Sequence, residues 1–312
     1  MKVFITGGSG LIGRALARSL IASGHEALSL SRRAAPAELP GVRAVAGDPT
    51  VPGPWLEALA GCDACVNLAG EPVAKRWTPE RKRAIRHSRV ESTRNVAALL
   101  AERGPSVLVS GGAIGIYGER GDEELDESSP PGEGFLAEVA SAWEEAAAPA
   151  RRRARVVLLR TGIVLSREGG ALPRLAQPFR FLAGGPVGGG AFWQSWIHLD
   201  DEVGLIRLAL EDDRLSGPLV ATAPQPVRNR DLARALGRVL GRPSFLPTPA
   251  FALRAALGEM SEVVLASERA LPRAALACGY SFRFPQLEPA LEDLLRRAPE
   301  SATRSPSAHP GA

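Results

Sequence analysis

Residues 1–13 read MKVFITGGSGLIG, an apolar run that breaks into glycines and then into a helical pattern. The branched and aromatic residues 3–5 (VFI) are typical of a buried strand. Gly7, Gly10 and Gly13 follow at the spacing Gly-x-x-Gly-x-x-Gly. This order predicts a strand, a tight turn and a helix at the start of an α/β sheet.

The glycine spacing indicates a site for the pyrophosphate of a dinucleotide. One glycine permits the turn, one lets backbone approach the phosphates, and one lets the helix pack on the strand. The helix predicted over 11–22 offers free N–H groups and a positive dipole end. A tight turn that binds no ligand is the alternative. The residues expected to contact the cofactor here are Gly7, Gly8, Ser9, Gly10, Leu11, Ile12 and Gly13.

The end of the second predicted strand indicates which dinucleotide is bound. Residues 25–30 (HEALSL) run into Ser31, Arg32 and Arg33, where an NAD site places an acidic residue on the ribose 2′-hydroxyl. A hydroxyl and guanidinium groups suit a 2′-phosphate instead, because arginine bonds phosphate oxygens in pairs. We therefore expect NADP(H). The alternative is that the arginines belong to a solvated loop.

Composition is that of an ordinary globular protein. The 312 residues are 45% hydrophobic and 23% charged, and the net charge is +4. No dense basic run is interleaved with aromatics, so nucleic-acid binding is not indicated. Cys62 and Cys65 form a Cys-x-x-Cys, but they enter an apolar strand-like run, which favours packing over redox chemistry. No signal peptide or membrane-length apolar stretch is evident, so we expect a cytoplasmic protein that binds no membrane.

Strand and helix patterns alternate through the first half of the chain. We predict further strands over 42–48, 64–68, 106–109 and 156–159, and helices over 53–60, 78–103 and 136–147. This cadence predicts a Rossmann-like, doubly wound parallel sheet. Ligands bind outside the carboxyl ends of such strands. The predicted ends that converge there are Gly7, Ser31, Asp48, Ala69 and Ser110.

The regular alternation of strand and helix patterns ends after residue 165. Glycine- and proline-rich loops separate helical patterns over 200–211, 229–240, 250–258 and 287–297. We therefore divide the chain into a dinucleotide-binding domain over 1–165, a smaller mixed substrate or lid domain over 166–298 with some chain crossing back to the sheet, and a disordered tail over 299–312. The long helix over 78–103 could also pair two copies into a homodimer.

The motifs together resemble the extended short-chain dehydrogenase/reductase superfamily, and in particular its bacterial nucleoside-diphosphate-sugar epimerase-like branch with a small C-terminal domain. The resemblance covers residues 1 to about 297. The stretches that carry it are Thr6–Gly13, Gly47–Pro49, Asn67–Pro72, Arg76–Thr78, Ser88–Val90, Leu159–Gly162 and Ser195–Asp201.

The resemblance implies roles for residues at the strand ends. Asp48 would contact the adenine, and Ser110 would lie beside the nicotinamide. The loop formed by Leu68, Ala69 and Gly70 would face the cofactor ribose. His198, on the loop that joins the two domains, is interpreted as a hydrogen-bonding residue between them.

The catalytic residues of the superfamily are missing. Its serine, tyrosine and lysine, the last two spaced Tyr-x-x-x-Lys on a helix, have no counterparts in residues 134–144 (GFLAEVASAWE) or at Gly112. Tyr117 is the candidate substitute, although without a lysine its pKa should stay near 10, and a packing role is the alternative. Lys75 and Arg76 could supply positive charge or form a solvated loop.

Two functions follow from this sequence. The first is an NADP(H)-binding oxidoreductase or epimerase that acts on an unknown small or nucleotide-linked substrate through unusual acid–base residues. The second is a non-catalytic NADP(H)-binding sensor or regulatory protein, which the missing serine, tyrosine and lysine favour.

Overall fold

The computed structural model describes residues 1–32 and 39–296, so Arg33 and the tail over 299–312 lie outside the described residues. In chain order the strands are β1 (Lys2–Thr6), β2 (Glu26–Ser31), β3 (Val42–Ala46), β4 (Ala64–Asn67), β5 (Val107–Ala113), β6 (Glu124–Leu125), β7 (Arg155–Thr161), β8 (Ile163–Ser166), β9 (Gly169–Gly170), β10 (Trp193–Gln194), β11 (Trp196–His198), β12 (Gly217–Ala221), β13 (Val227–Arg228) and β14 (Arg269–Ala270).

The helices alternate with these strands through the first half of the chain and dominate the second. They are α1 (Leu11–Ala22), α2 (Trp55–Ala60), α3 (Pro79–Leu100), α4 (Phe135–Ala146), α5 (Leu172–Arg180), α6 (Leu199–Glu211), α7 (Asn229–Leu240), α8 (Ala250–Leu257), α9 (Glu262–Leu265), α10 (Arg273–Ala277) and α11 (Leu287–Arg296). Short 3₁₀ helices cover Ile114–Tyr117, Ala148–Arg152 and Gly258–Ser261.

A seven-stranded parallel sheet forms the centre of the molecule. Its spatial order is β12-β7-β5-β4-β1-β2-β3, and every neighbouring pair is parallel. The chain winds outward from β1 in one direction and from β4 in the other. The crevice at the carboxyl ends of these two strands is where such a sheet binds ligands, and the predicted doubly wound fold is confirmed.

Side chains of β1 alternate between two apolar layers. Val3 and Ile5 pack in one layer with α1 and α6, whereas Phe4 packs in the other layer with α2 and α3. All three side chains are fully buried. Because alternate residues of a strand face opposite sides, the short apolar run at the start of the chain places β1 between the two apolar layers.

The second half of the chain forms a smaller body and also rejoins the sheet. A separate apolar core brings β8 and β11 together with α5, α7 and α11 around Trp196. Between the parts of the chain that form this smaller body, α6 packs on the central seven-stranded sheet and β12 forms one edge of that sheet. Residues 199–221 are therefore the stretch that crosses back to the sheet.

Most predicted elements differ from the structure by a residue or two at their ends, and one helix and one strand differ by more. The helix predicted over 78–103 spans Pro79–Leu100, and Thr78 caps it by accepting a hydrogen bond from the Arg81 N–H at 3.2 Å. The strand predicted over 106–109 continues to Ala113. Within the described ranges, no helix has the length and apolar character needed to cross a bilayer.

Candidate active site

The glycine turn after β1 has no room for a side chain at two of its positions. Gly7 has a φ of +67°, and a Cβ there would lie 2.7 Å from the carbonyl oxygen of Leu68. A Cβ on Gly13 would lie 2.4 Å from the Gly7 carbonyl oxygen. Gly10, the N-cap of α1, donates its N–H to that same oxygen at 2.9 Å and offers the first turn no side-chain cap. The amides of that turn are thus available to a phosphate.

A cleft of about 200 Å³ opens above this turn at the carboxyl ends of β1, β2 and β4. Nine of the residues predicted to bind the cofactor line it. They are Gly7, Ser9, Gly10, Ser31, Arg32, Asp48, Leu68, Ala69 and Gly70. The structure therefore brings together residues that the sequence spreads over more than sixty positions.

Arg32 lies at the mouth of this cleft, where β2 ends. Its side chain is 69% exposed, and Nη1 stands 3.5 Å from Oε1 of Glu71. Glu71 is also 3.3 Å from Arg81, so its charge does not depend on Arg32 for compensation. An exposed guanidinium so loosely held can turn toward an incoming phosphate at little cost.

Asp48 is fixed on the opposite wall of the cleft. Its Oδ1 accepts hydrogen bonds from the N–H and the hydroxyl of Thr50, at 2.9 and 2.7 Å. Burial alone would raise the pKa of Asp48, but the two bonds from Thr50 and the positive charge of Arg32 hold it below its usual value. Asp48 is therefore an ionised hydrogen-bond acceptor at neutral pH.

A buried polar network lies under the cleft. Asn67, at the end of β4, accepts the hydroxyl proton of Thr6 at 2.5 Å and donates Nδ2 to the hydroxyl of Thr93 at 2.7 Å. Nε1 of Trp143 donates to the same hydroxyl at 2.8 Å. Thr6 in turn accepts the N–H of Ala69 at 3.2 Å. These bonds hold the β4 loop against the glycine turn and rigidify the cleft floor.

A second cavity, of about 330 Å³, lies next to the cleft, and Leu68 lines both. Its walls are mostly apolar and come from β5, α3, α4 and the segment around α9. Arg89 and Glu268 are the charged residues in its lining. Residue 12 also borders it, which places Ile12 between the glycine turn and this second cavity. The two cavities are therefore neighbours on either side of Leu68.

The helix positions that should carry tyrosine and lysine are apolar. Leu136, Val139 and Ala140 of α4 line the second cavity, and Phe135 turns away to pack against Trp77 at 4.9 Å between ring centroids. The serine position is closed as well. A Cβ on Gly112 would lie 3.0 Å from the carbonyl oxygen of Leu159, so a serine there requires the backbone to shift.

Glu268 faces the second cavity and was not singled out by the sequence. It precedes β14, is half-buried, and its Oε1 lies 3.9 Å from where a Cβ on Gly115 would stand. Its backbone is anchored, because its carbonyl accepts the Ser195 hydroxyl at 2.7 Å and its N–H donates to the Trp193 carbonyl at 3.3 Å. Burial, assisted by the charge of Glu119, raises the pKa of Glu268 to about 8.

Arg89 of α3 separates the cleft from the second cavity. Its Nη1 donates to the carbonyl oxygens of Glu71 and Ile85 at 2.9 and 3.2 Å, and its guanidinium lies 5.2 Å from the Trp143 ring centre. Burial lowers the pKa of Arg89 to about 10, so it is still a cation at neutral pH. Apart from the motif match around Arg89, no local sequence signal points to either charged residue.

Tyr117 does not reach either cavity, which corrects the expectation that it acts as a catalytic residue. It is fully buried, its hydroxyl donates to the Asp126 carbonyl at 2.8 Å, and it accepts from Nη1 of Arg160 at 3.0 Å. Burial raises its pKa to about 12. A phenol in this environment is a packing and hydrogen-bonding residue.

Other predicted contacts are also absent from the cavity walls. Ser110 is fully buried in β5, and its hydroxyl has no partner among residues 1–32 and 39–296. Gly8, Leu11 and Gly13 shape the turn and its packing without lining either cavity. Arg33 lies outside the described residues.

The remaining candidates have structural positions. Lys75 and Arg76 are exposed and line neither cavity. His198 is buried, its Nδ1 accepts the Asp200 N–H at 3.0 Å, and its ring stacks on Phe284 at 3.9 Å between centroids. These contacts all lie within the second half of the chain, so among the described residues they show no hydrogen bond from His198 between the two halves.

Known proteins match both halves of the chain. The model described as "NAD dependent epimerase/dehydratase family" matches residues 3–219, and one described as a domain of unknown function (DUF1731) matches residues 248–294. The chloroplastic epimerase family protein SDR39U1 homolog of Arabidopsis thaliana is 41% identical over 307 residues, which cover 95% of this chain and 87% of the relative.

Two further relatives match over their whole length. The epimerase family protein YfhF of Bacillus subtilis is 38% identical over 299 residues, covering 95% of this chain and 98% of YfhF. A crystal structure of the human epimerase family protein SDR39U1 (isoform 2) with NADPH superposes with a TM-score of 0.85 at 33% identity, covering 96% of this chain and all of that one. The chain therefore belongs to the NAD dependent epimerase/dehydratase family.

Proposed function

We propose that this protein binds NADP(H) in the cleft and uses it to oxidise or reduce a small molecule held in the second cavity. The observation that carries the proposal is that the two cavities are neighbours and share Leu68 as a lining residue. One part is suited to a pyrophosphate, and the other is a largely apolar space beside the end of β5. A dinucleotide that spans both would present its reactive ring to a second molecule.

The cleft fits such a cofactor on stereochemical grounds. At Gly7 and Gly13 a Cβ would collide with neighbouring backbone, so any side chain would distort the turn whose amides the phosphates require. The amides of the first turn of α1 would bind the pyrophosphate, and Asp48 would accept from the adenosine end. When bound, the cofactor supplies or removes a hydride. The chain's own residues position it and exclude water.

NADP(H) is favoured over NAD(H) by the residues at the end of β2. Ser31 and Arg32 line the cleft where a carboxylate would bind an unphosphorylated ribose. Arg32 would exchange its long contact with Glu71 for the 2′-phosphate. The human relative was crystallised with NADPH, which supports the same choice.

Turnover distinguishes this function from its alternative, a non-catalytic NADP(H) sensor. The alternative is favoured by the apolar cavity face of α4 and by the burial of Tyr117. Protein that has been shown by fluorescence to bind NADPH is mixed with carbonyl compounds and sugar nucleotides while the nicotinamide absorbance is followed. We expect cofactor oxidation with at least one class. Binding without any oxidation would establish the sensor function instead.

A further inference from the structure

We infer that Glu268 is the proton donor of the second cavity and that the cavity takes a small, largely apolar carbonyl compound or the corresponding alcohol. The inference rests on the proposed NADP(H)-dependent function and adds to it an acid–base residue and a substrate class. It would supply the role that tyrosine and lysine leave vacant on α4.

The carboxyl of Glu268 is unengaged. Its oxygens receive no hydrogen bond and no ion pair from any residue in the described part of the chain, although its backbone is bonded on both sides. Carboxylates that serve structure are commonly paired with a cation or capped by donors, and this half-buried carboxyl has neither within the described residues. A carboxyl held by its main chain and facing an apolar cavity is therefore arranged for a ligand.

The position of Glu268 is suited to the reacting end of a ligand. Its Oε1 lies beside Gly115, just beyond the end of β5, and residues 111–115 line the same cavity. With its adenosine end held beside β2 and β3, a dinucleotide that crosses the crevice would extend its nicotinamide end toward β4 and β5. A substrate that reaches the cofactor from the cavity would thus have its oxygen within reach of this carboxyl.

Protonation of Glu268 at neutral pH is favoured by its surroundings. Burial and the nearby charge of Glu119 raise its pKa to about 8, so most molecules carry the proton at pH 7. Of the other residues packed near it, Arg269 is directed toward the Trp193 ring, with its guanidinium 4.6 Å from the ring centre. A carboxylic acid kept neutral in this way can donate a hydrogen bond and then a proton.

The lining of the cavity argues for an apolar substrate. Its polar side chains Thr161, Gln194 and Ser195 are each hydrogen-bonded within the protein. Arg89, the one cation that residues 1–32 and 39–296 contribute to the lining, already donates to two carbonyl oxygens. A nucleoside diphosphate would need cations or amide donors for its two phosphates, whereas one carbonyl oxygen needs a single donor, which Glu268 supplies.

The step balances as a carbonyl reduction. The carbonyl carbon accepts a hydride from the reduced nicotinamide, and the carbonyl oxygen accepts the proton of the Glu268 carboxyl. The C=O π bond breaks, a C–H and an O–H bond form, and the cofactor is left oxidised. Glu268 is left as a carboxylate and takes a proton from solvent before the next turnover. Alcohol oxidation runs through the same transfers in reverse.

The test compares wild-type protein with Glu268→Gln and with Glu262→Gln, an exposed glutamate of α9 that serves as the matched control. Each is assayed with NADPH and a series of straight-chain aldehydes and cyclic ketones from pH 6 to 10, and NADPH binding is measured in parallel by fluorescence. We expect Glu268→Gln to lower kcat/KM by about 10²- to 10⁴-fold with unchanged NADPH affinity. Wild-type kcat/KM should fall as the pH rises through about 8, and Glu262→Gln should match wild type.

Three results would overturn the inference. They are wild-type protein that binds NADPH but reduces none of these carbonyl compounds, a Glu268→Gln variant with wild-type kcat/KM, and a wild-type pH profile that is flat through pH 8. The last readout needs no variant and so does not depend on how the substitution folds. Failure of wild-type protein to bind NADPH would instead contradict the proposed function itself.

Discussion

Nη1 of Arg160 donates a hydrogen bond to the hydroxyl of Tyr117 at 3.0 Å inside the protein core. Arg160 is also held by two contacts to the carboxylate of Glu144, at 2.8 and 3.0 Å. Only about 6% of the Arg160 side chain is exposed. The Tyr117 hydroxyl therefore supplies a hydrogen-bond acceptor to a buried cation. This explains why a polar ring occupies an otherwise apolar cluster.

This relationship predicts that Tyr117→Phe lowers stability and leaves chemistry intact. Removing the hydroxyl deprives a buried guanidinium of one acceptor, so the free energy of unfolding should fall by about 1–3 kcal/mol. Urea denaturation measures this loss, and fluorescence measures NADPH affinity, which should be unchanged. A variant of wild-type stability that fails to turn over would restore Tyr117 as a catalytic residue.

The glycine turn predicts a sharp difference between two Gly→Ala substitutions. At Gly13 the added Cβ meets the Gly7 carbonyl oxygen at 2.4 Å and the Cα of Gly8 at 2.7 Å, so the turn must open and NADPH affinity should fall by at least about tenfold. At Gly189 a Cβ meets nothing within 4 Å, which makes Gly189→Ala the control. Equal NADPH affinities of the two variants would contradict a phosphate site at this turn.

Glu202 predicts a pH dependence of stability. It is fully buried, one oxygen accepts the Thr161 hydroxyl at 2.7 Å, and the other has no partner in the described part of the chain. Burial raises its pKa to about 8. The folded state therefore holds a proton that the unfolded chain releases near pH 4.3, and stability is lost as pH rises from there toward 8.

The variant Glu202→Gln should remove this dependence. As the pH rises from 5 to 8, the free energy of unfolding of wild type should fall relative to that of the variant by up to about 1.4 kcal/mol per pH unit. Denaturation curves at several pH values measure the difference, and Glu262→Gln is the exposed control. A constant difference between Glu202→Gln and wild type across this range would show that Glu202 does not titrate as its burial implies.

Arg32 predicts the choice between the two cofactors. Arg32→Ala removes a charge-assisted contact to a 2′-phosphate, so NADPH affinity should fall about tenfold or more while NADH affinity stays the same. Arg83→Ala, which removes an equally exposed guanidinium from α3, is the control. Equal losses of affinity for NADPH and NADH would show that Arg32 does not contact the 2′-phosphate.

The sequence was informative where local stereochemistry decides the outcome. The run at residues 3–5 alternates between two apolar layers, and the glycines at 7 and 13 leave no room for a Cβ. These constraints act within a few residues, so the strand, turn and helix could be predicted without tertiary information. The cofactor cleft followed because parallel strands end at one edge of the sheet.

The sequence misled where small residues extend a strand. The prediction ends the strand at residue 109, yet Ser110 and the two glycines after it continue β5 and pair with residues 158–160 of β7. A hydroxyl expected at a strand end is therefore inside the sheet. Tertiary pairing overrides the turn preference of glycine, and no local pattern reveals it.

Glu268 could not be found by local patterns at all. It reaches the cavity from a segment about 150 positions beyond Gly115, and only the packing of the second half of the chain brings the two together. The raised pKa of Glu268 also comes from its surroundings in the folded molecule. Burial in an apolar cavity is a property of the folded molecule and not of any motif.

Calorimetric titration of the wild-type protein with NADPH and with NADH tests the central claim most directly. The structure predicts a dissociation constant for NADPH in the micromolar range or tighter, equivalent to about −8 kcal/mol or more favourable, and weaker binding of NADH. The absence of measurable binding for either nucleotide, reduced or oxidised, would contradict a cofactor site in the cleft between β1 and β4.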